Sequence, residues 1–128
     1  MNPAPIIELG PVLIVDDDED VREDFRGVVE RAGHDVVMAE NGRVALDILL
    51  AAAPEPRLVL LDLKMPVMDG WELLALMRSY NRLSRIPVIL ITATTMREAA
   101  RPAFEAILMK PVTEEALLEA IGIVLSRR

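Results

Sequence analysis

The sequence predicts a three-layer α/β domain built on a parallel sheet, and three observations carry that expectation. Four short runs rich in Val, Ile and Leu, at residues 12–15, 36–38, 58–61 and 88–91, lack in/out alternation, as strands covered on both faces do. Apolar residues at helical spacing fill the gaps between them. The chain has 128 residues, 52% hydrophobic and 27% charged, which suits one globular domain with a sizeable core.

The elements follow in order. Residues 1–10 read as an unpacked lead-in and residues 11–128 as the domain. After the first strand, Val21, Phe25, Val28, Val29 and Ala32 mark one helix face, with Gly33 placed to stop it. Asp18, Glu19 and Asp20 suit its positive end. A second helix carries Ala45, Ile48, Leu49 and Ala52 and is ended by Pro54 and Pro56. A third, short one carries Leu73, Leu74 and Met77 after Trp71. A weaker fifth strand is expected at 107–109. The last helix is entered through Thr113, an N-cap followed by two glutamates, and carries Leu117, Ala120, Ile121 and Val124. Between strands four and five the candidate helix runs into Pro102, so it should be short or irregular. β-α repeated five times leads to the parallel sheet.

Composition excludes several functions. Fourteen Lys+Arg against 21 Asp+Glu give a net charge of -7, which disfavours a phosphate-backbone binder and therefore direct nucleic-acid contact. There is no cysteine and one histidine, His34, so Cys-zinc sites, thiol catalysis and multi-His metal sites are excluded. No apolar run approaches the ~20 residues of a membrane span, and no secretory signal is readable, so a cytoplasmic protein without membrane insertion is expected.

In an open parallel sheet, function collects beyond the carboxyl ends of the strands. Asp16 and Asp17 stand at the end of strand one, Asp62 after strand three, Thr92 at the end of strand four and Lys110 after strand five. Each alone would be a turn, cap or solvated charge. Together they aim carboxylates, a hydroxyl and an ammonium at one cleft. Two like charges ~4 Å apart repel by on the order of 4 kcal/mol at an effective dielectric near 20, so a cation is expected there. A hard ion such as Mg²⁺ takes one or two carboxylates plus phosphate oxygens, and an aspartate can itself be the nucleophile that forms an acyl phosphate. Rival acidic motifs fail on spacing. A calcium-binding EF-hand loop starting at Asp16 would need Gly where Val21 stands and Glu where Gly27 stands. A haloacid-dehalogenase-type phosphatase would want a second acid where Lys64 stands, and no glycine-rich nucleotide cradle occurs.

The segments Val12-Leu-Ile-Val-Asp-Asp-Asp18, Leu60-Leu-Asp-Leu-Lys-Met-Pro-Val-Met-Asp-Gly70, Pro87-Val-Ile-Leu-Ile-Thr-Ala93 and Lys110-Pro111 closely resemble the CheY-like receiver domain of two-component response regulators, over residues 11 to 128. The resemblance implies a flavodoxin-like (βα)5 fold with sheet order 2-1-3-4-5. It implies that Asp62 takes a phosphoryl group from a sensor histidine kinase or histidine phosphotransfer protein. Asp17 would ligate Mg²⁺ (or Mn²⁺) directly and Asp16 through water, with Asp62 and the Lys64 backbone carbonyl completing the set. Thr92 would be the switch hydroxyl and Lys110 the phosphoryl contact, with Pro111 following through a cis bond. Lys64 and Thr94 occupy positions that tune hydrolysis of the acyl phosphate. On this reading the protein is a signalling switch and not a turnover enzyme, assisting its own phosphorylation and dephosphorylation and signalling to a protein effector.

Two departures qualify the resemblance. Ile107 stands where the family usually has an aromatic residue, and the stretch between Thr92 and Lys110 is about one helical turn short. The phosphorylation chemistry is therefore expected to be intact and the usual aromatic-coupled relay absent. The alternative is a phosphorylation-independent interaction module that keeps the fold. Trp71 is expected near Asp62, Met65 and Met68 in the active-site loop, and His34 as a solvated turn residue far from the cleft.

Overall fold

The computed structural model describes residues 10–51 and 55–127. The elements run β1 (Val12–Val15), α1 (Glu19–Arg31), β2 (Val36–Ala39), α2 (Gly42–Ala51), β3 (Leu58–Leu61), α3 (Gly70–Ser79), β4 (Val88–Thr92), β5 (Ala106–Met109) and α4 (Glu114–Ser126). All pairings are parallel, in the order β2-β1-β3-β4-β5, as the resemblance implied.

The three inner strands are buried along their whole length, which is why they carry unbroken aliphatic runs. Alternate residues serve two separate cores. Leu13, Val15, Val59 and Leu61 pack with Leu49 of α2 and Leu73 and Met77 of α3. Val12, Ile14, Leu58 and Leu60 pack with Phe25 and Val29 of α1 and Leu117, Ile121 and Val124 of α4. The sheet is therefore the middle of three layers, and its side chains are committed to packing everywhere except at the strand ends.

The helix ends follow local chemistry. Asp18 caps α1 by accepting from the N–H groups of Asp20 and Val21, and Gly33 takes φ +95° just beyond its end. Asp69 and Glu72 form a reciprocal capping box on α3, and Thr113 caps α4. Where a fourth helix would lie there is a 3-10 segment, Glu98–Ala103, containing Pro102 and burying no residue. The expected short, irregular element is what forms, because proline removes a donor the α-helix needs. A second 3-10 turn, Leu83–Arg85, lies before β4 and was not anticipated.

The chain is already packed at Gly10, the last residue of the expected lead-in, where a Cβ would fall 1.7 Å from the Glu55 carbonyl oxygen. Residues 1–9 of that lead-in, and the Ala52 and Pro54 expected at the end of helix two, lie outside the described residues. His34 differs from expectation. It precedes β2, at the sheet end opposite the cleft, but is half-buried with Nδ1 against the Arg57 guanidinium. Burial first, and then the Arg57 charge, lower its pKa. No helix of the described residues is long and apolar enough to cross a membrane.

Candidate functional site

The parallel sheet brings Asp16, Asp17, Asp62, Thr92 and Lys110 to one edge because each directly follows or ends a strand. Register does the fine placement. The Asp62 N–H donates to Val15 O at 3.0 Å, and the Lys110 N–H donates to Thr92 O at 2.9 Å, so each tip is tied to its neighbour.

Asp16, Asp17 and Asp62 each offer a carboxylate oxygen within 4.8 Å of the others. Asp16 is 2% exposed and Asp62 9%, whereas Asp17 is open to solvent. The Lys110 ammonium donates to Asp16 Oδ2 at 2.7 Å and lies 3.6 Å from Asp62 Oδ2. Asp16 Oδ1 accepts from the Asp18 N–H and Asp62 Oδ1 from the Leu63 N–H, both at 2.9 Å. Thr92, 1% exposed, accepts from the Thr94 N–H at 3.1 Å.

The charges do not balance. Burial and then the Asp16 charge raise the Asp62 pKa, with Asp17 adding to them, against the opposing pull of Lys110 and the Leu63 N–H. For Lys110, burial alone would lower the pKa, but the hydrogen bonds and charges of Asp16 and Asp62 outweigh it and raise it. A raised carboxyl pKa means that the folded chain holds this proton more tightly than the unfolded chain does. Metal-free stability should therefore fall as pH rises from the unfolded value of 3.8 through the raised folded one. Asp62→Asn mimics the protonated form. It should stabilise the metal-free protein at neutral pH and flatten that slope, read by urea denaturation across acid to neutral pH.

The loop after β3 holds the site from beneath. Gly70 donates its N–H to Leu63 O at 2.9 Å, and a Cβ there would come within 2.5 Å of Asp62 O. Val67, 80% exposed, has φ +70°, and the Met68 N–H donates to Pro66 O across it at 2.8 Å, closing a γ-turn. A β-branched residue is costly at such a φ, by on the order of 1–3 kcal/mol, so the loop is held by its surroundings. The Met68 carbonyl in turn accepts from the Gly42 N–H of α2 at 2.9 Å.

Of the residues singled out from sequence, Lys64 is exposed and Thr94 half-buried beside the acids, and both line a cleft of about 730 Å³ with Asp17, Met65 and Trp71. Ile107 is half-buried on β5 and packs on the core shared with α2 and α3, away from the cleft. The expected cis peptide joins Lys110 to Pro111. Arg22 was missed. Its Nη1 donates to the Asp16 carbonyl at 2.6 Å, adding a second cation beside the acids. Read along α1 it looks like one more solvated charge, and its separation of six residues from Asp16 matches no local pairing rule.

The residues suit a hard dication: every anionic donor is oxygen, and no nitrogen or sulfur ligand is present among the three. The comparisons agree with this architecture. The model of the response regulator receiver domain matches residues 12–122. The polar-differentiation response regulator DivK of Brucella anthropi is 32% identical over 114 residues, covering 86% of this chain and 91% of that one. The chemotaxis protein CheY4 of Vibrio cholerae superposes with a TM-score of 0.82 at 28% identity, covering 91% of this chain and 99% of the other. The response regulator TrrA of Thermotoga maritima, in complex with Mg²⁺-BeF, superposes with a TM-score of 0.79 at 25% identity over 91% and 99%. With the sheet order, the site at the strand tips and these matches in hand, the chain belongs to the response regulator receiver domain family of two-component signalling.

Proposed function

We propose that this receiver is a phosphorylation switch in which Asp62 accepts a phosphoryl group from the phosphohistidine of a sensor histidine kinase or histidine phosphotransfer protein. The observation that carries the reading is a largely buried carboxylate with a lysine ammonium 3.6 Å away and two further acids within 4.8 Å. An Asp62 Oδ attacks phosphorus, the P–N bond to the donor imidazole breaks, and the imidazole leaves with the electron pair and takes a proton. Lys110 faces the oxygens that gain charge, and Leu63 N–H holds the other Asp62 oxygen in place.

Asp17 and Asp62 would hold Mg²⁺ (or Mn²⁺) directly, Asp16 through water, and the Lys64 carbonyl as a fourth protein ligand. When bound, the ion supplies positive charge that draws phosphoryl oxygens to carboxylates that would otherwise repel them. TrrA, similar in fold, is described with Mg²⁺-BeF, which supports this assignment. After transfer, the Thr92 hydroxyl leaves the Thr94 N–H and donates to the phosphoryl group, shifting the population between two conformations. Lys64 and Thr94, flanking the cleft, tune the access of water to the acyl phosphate, and Ile107 alters how the shift reaches β5. Residues 11–128, with Gly10 packed against them, act as the unit, in the cytoplasm. The output goes to a protein effector, since net charge -7 opposes nucleic-acid contact. The protein acts on itself and not on a pool of substrate, so it is a switch.

Intact mass after Mg²⁺ and acetyl phosphate tests this. One phosphoryl added to wild type and none to Asp62→Asn is the expected result. An unlabelled wild type, or label persisting in Asp62→Asn, leaves the phosphorylation-independent interaction module as the reading.

A further inference from the structure

The irregular stretch between β4 and β5 is fastened to α3 at a place the chemistry above does not use. The Trp71 and Phe104 rings lie 5.5 Å apart at 59°, a tilted aromatic pair. Arg78 donates from Nη2 to the Ala103 carbonyl and from Nη1 to the Ser84 carbonyl, both at 3.1 Å. Trp71 and Arg78 are seven residues apart on α3, two helical turns, so they share a face and reach the same stretch. At the other end, the Thr94 N–H is held by the Thr92 hydroxyl. Between these points the 3-10 segment Glu98–Ala103 buries nothing, and only half-buried Met96 and Ala103 rest on the core. Trp71 also lines the cleft that contains Asp17 and Lys64, directly after the Gly70 that abuts the Asp62 carbonyl. β5 itself, Ala-Ile-Leu-Met, carries no ring.

We propose that Phe104 is a positioning residue which, through Trp71, ties the 94–103 stretch to the phosphoacceptor loop, so that this stretch is the part of the molecule that reads the state of Asp62. The proposal rests on the phosphoacceptor reading of Asp62 and adds the route by which its charge is reported. When the Thr92 hydroxyl turns to the phosphoryl group, the Thr94 end is released while the Phe104 end stays pinned to α3. The stretch then swings about the aromatic pair in one direction instead of simply loosening. Without the pair, the Phe104 end is held only by hydrogen bonds to backbone groups that do not reach the cleft, and the state of Thr94 no longer dictates where the stretch goes. Arg78 fixes the same end through a backbone carbonyl, which holds position but not the contact to the cleft.

The test is amide hydrogen exchange of residues 94–103 with and without Mg²⁺ and beryllofluoride, with acetyl phosphate labelling followed in parallel by intact mass. Wild type should change exchange in this stretch by about fivefold on adding beryllofluoride. Phe104→Leu and Trp71→Leu should lose most of that change when compared with wild type at saturating beryllofluoride, and Trp71→Phe, which keeps a ring, should retain it. Phe104 is buried and its variant could fold poorly, whereas Trp71 is 41% exposed, so the Trp71 pair decides the matter by itself. Labelled wild type with no change in 94–103, or Trp71→Leu responding like wild type, overturns this proposal alone. A wild type that takes no label overturns the phosphoacceptor reading and this proposal with it.

Discussion

Lys110→Met should lower the metal-free stability of the protein by about 2 kcal/mol, visible as a lower urea midpoint with an unchanged slope. The side chain is 22% exposed and the Asp16 carboxylate it binds is 3% exposed, so removing the ammonium strands a nearly dry charge. A fully buried pair would cost ~3–5 kcal/mol when broken. Partial access of water on the Lys110 side brings the figure down. The same variant should bind Mg²⁺ about tenfold more tightly, because a cation that competed for the acids has gone. Saturating metal should then recover much of the loss, since a ligand at a hundred times its Kd stabilises by about 2.7 kcal/mol. Opposite signs for stability and metal affinity are the signature of a lysine serving as counter-charge. A variant that lost stability and metal affinity together would point to a collapsed site.

Gly70→Ala should cost about 3 kcal/mol and reduce phosphodonor labelling, because its Cβ would lie 2.5 Å from the Asp62 carbonyl oxygen and 2.9 Å from Leu63 Cα. Both are backbone atoms, which cannot rotate away. The strain must move either the start of α3 or the loop that aims Asp62 and presents the Leu63 N–H. Gly122→Ala supplies the comparison. It lies within α4 with nothing within 4 Å of the added methyl, so it should stabilise by up to about 1 kcal/mol and leave labelling alone. Chemical denaturation and intact mass on both variants separate a general glycine effect from the specific contact under Asp62.

What could be read in advance follows a physical divide. The inner strands were legible because double coverage demands unbroken aliphatic runs, and residues 12–15 and 58–61 fall at the observed bounds of β1 and β3. The cluster of acids was legible because Asp16, Asp17, Asp62 and Lys110 are each adjacent to such a run, so topology alone gathers them. Pro102 announced the irregular stretch for a local reason. What escaped depends on contacts between residues distant in sequence or on conformations that composition argues against. Nothing near Trp71 names Phe104, and nothing near His34 names Arg57, because those pairs exist only once the layers have closed. Val67 is a β-branched residue at a positive φ, where propensity points the other way and the surrounding loop overrides it.

One consequence of the sheet order concerns when the protein becomes competent. Asp62 follows the central strand β3, Asp16 and Asp17 its neighbour β1, and Lys110 the edge strand β5 beyond β4, so no contiguous half of the molecule contains the whole set. A partially folded chain lacking its final strand would hold three mutually repelling acids without their lysine. A phosphoryl group or its beryllofluoride mimic, which needs that lysine, should thus discriminate sharply between the finished molecule and its folding intermediates, and its protection should extend to the slowest-opening amides of all five strands instead of fading with distance from the cleft.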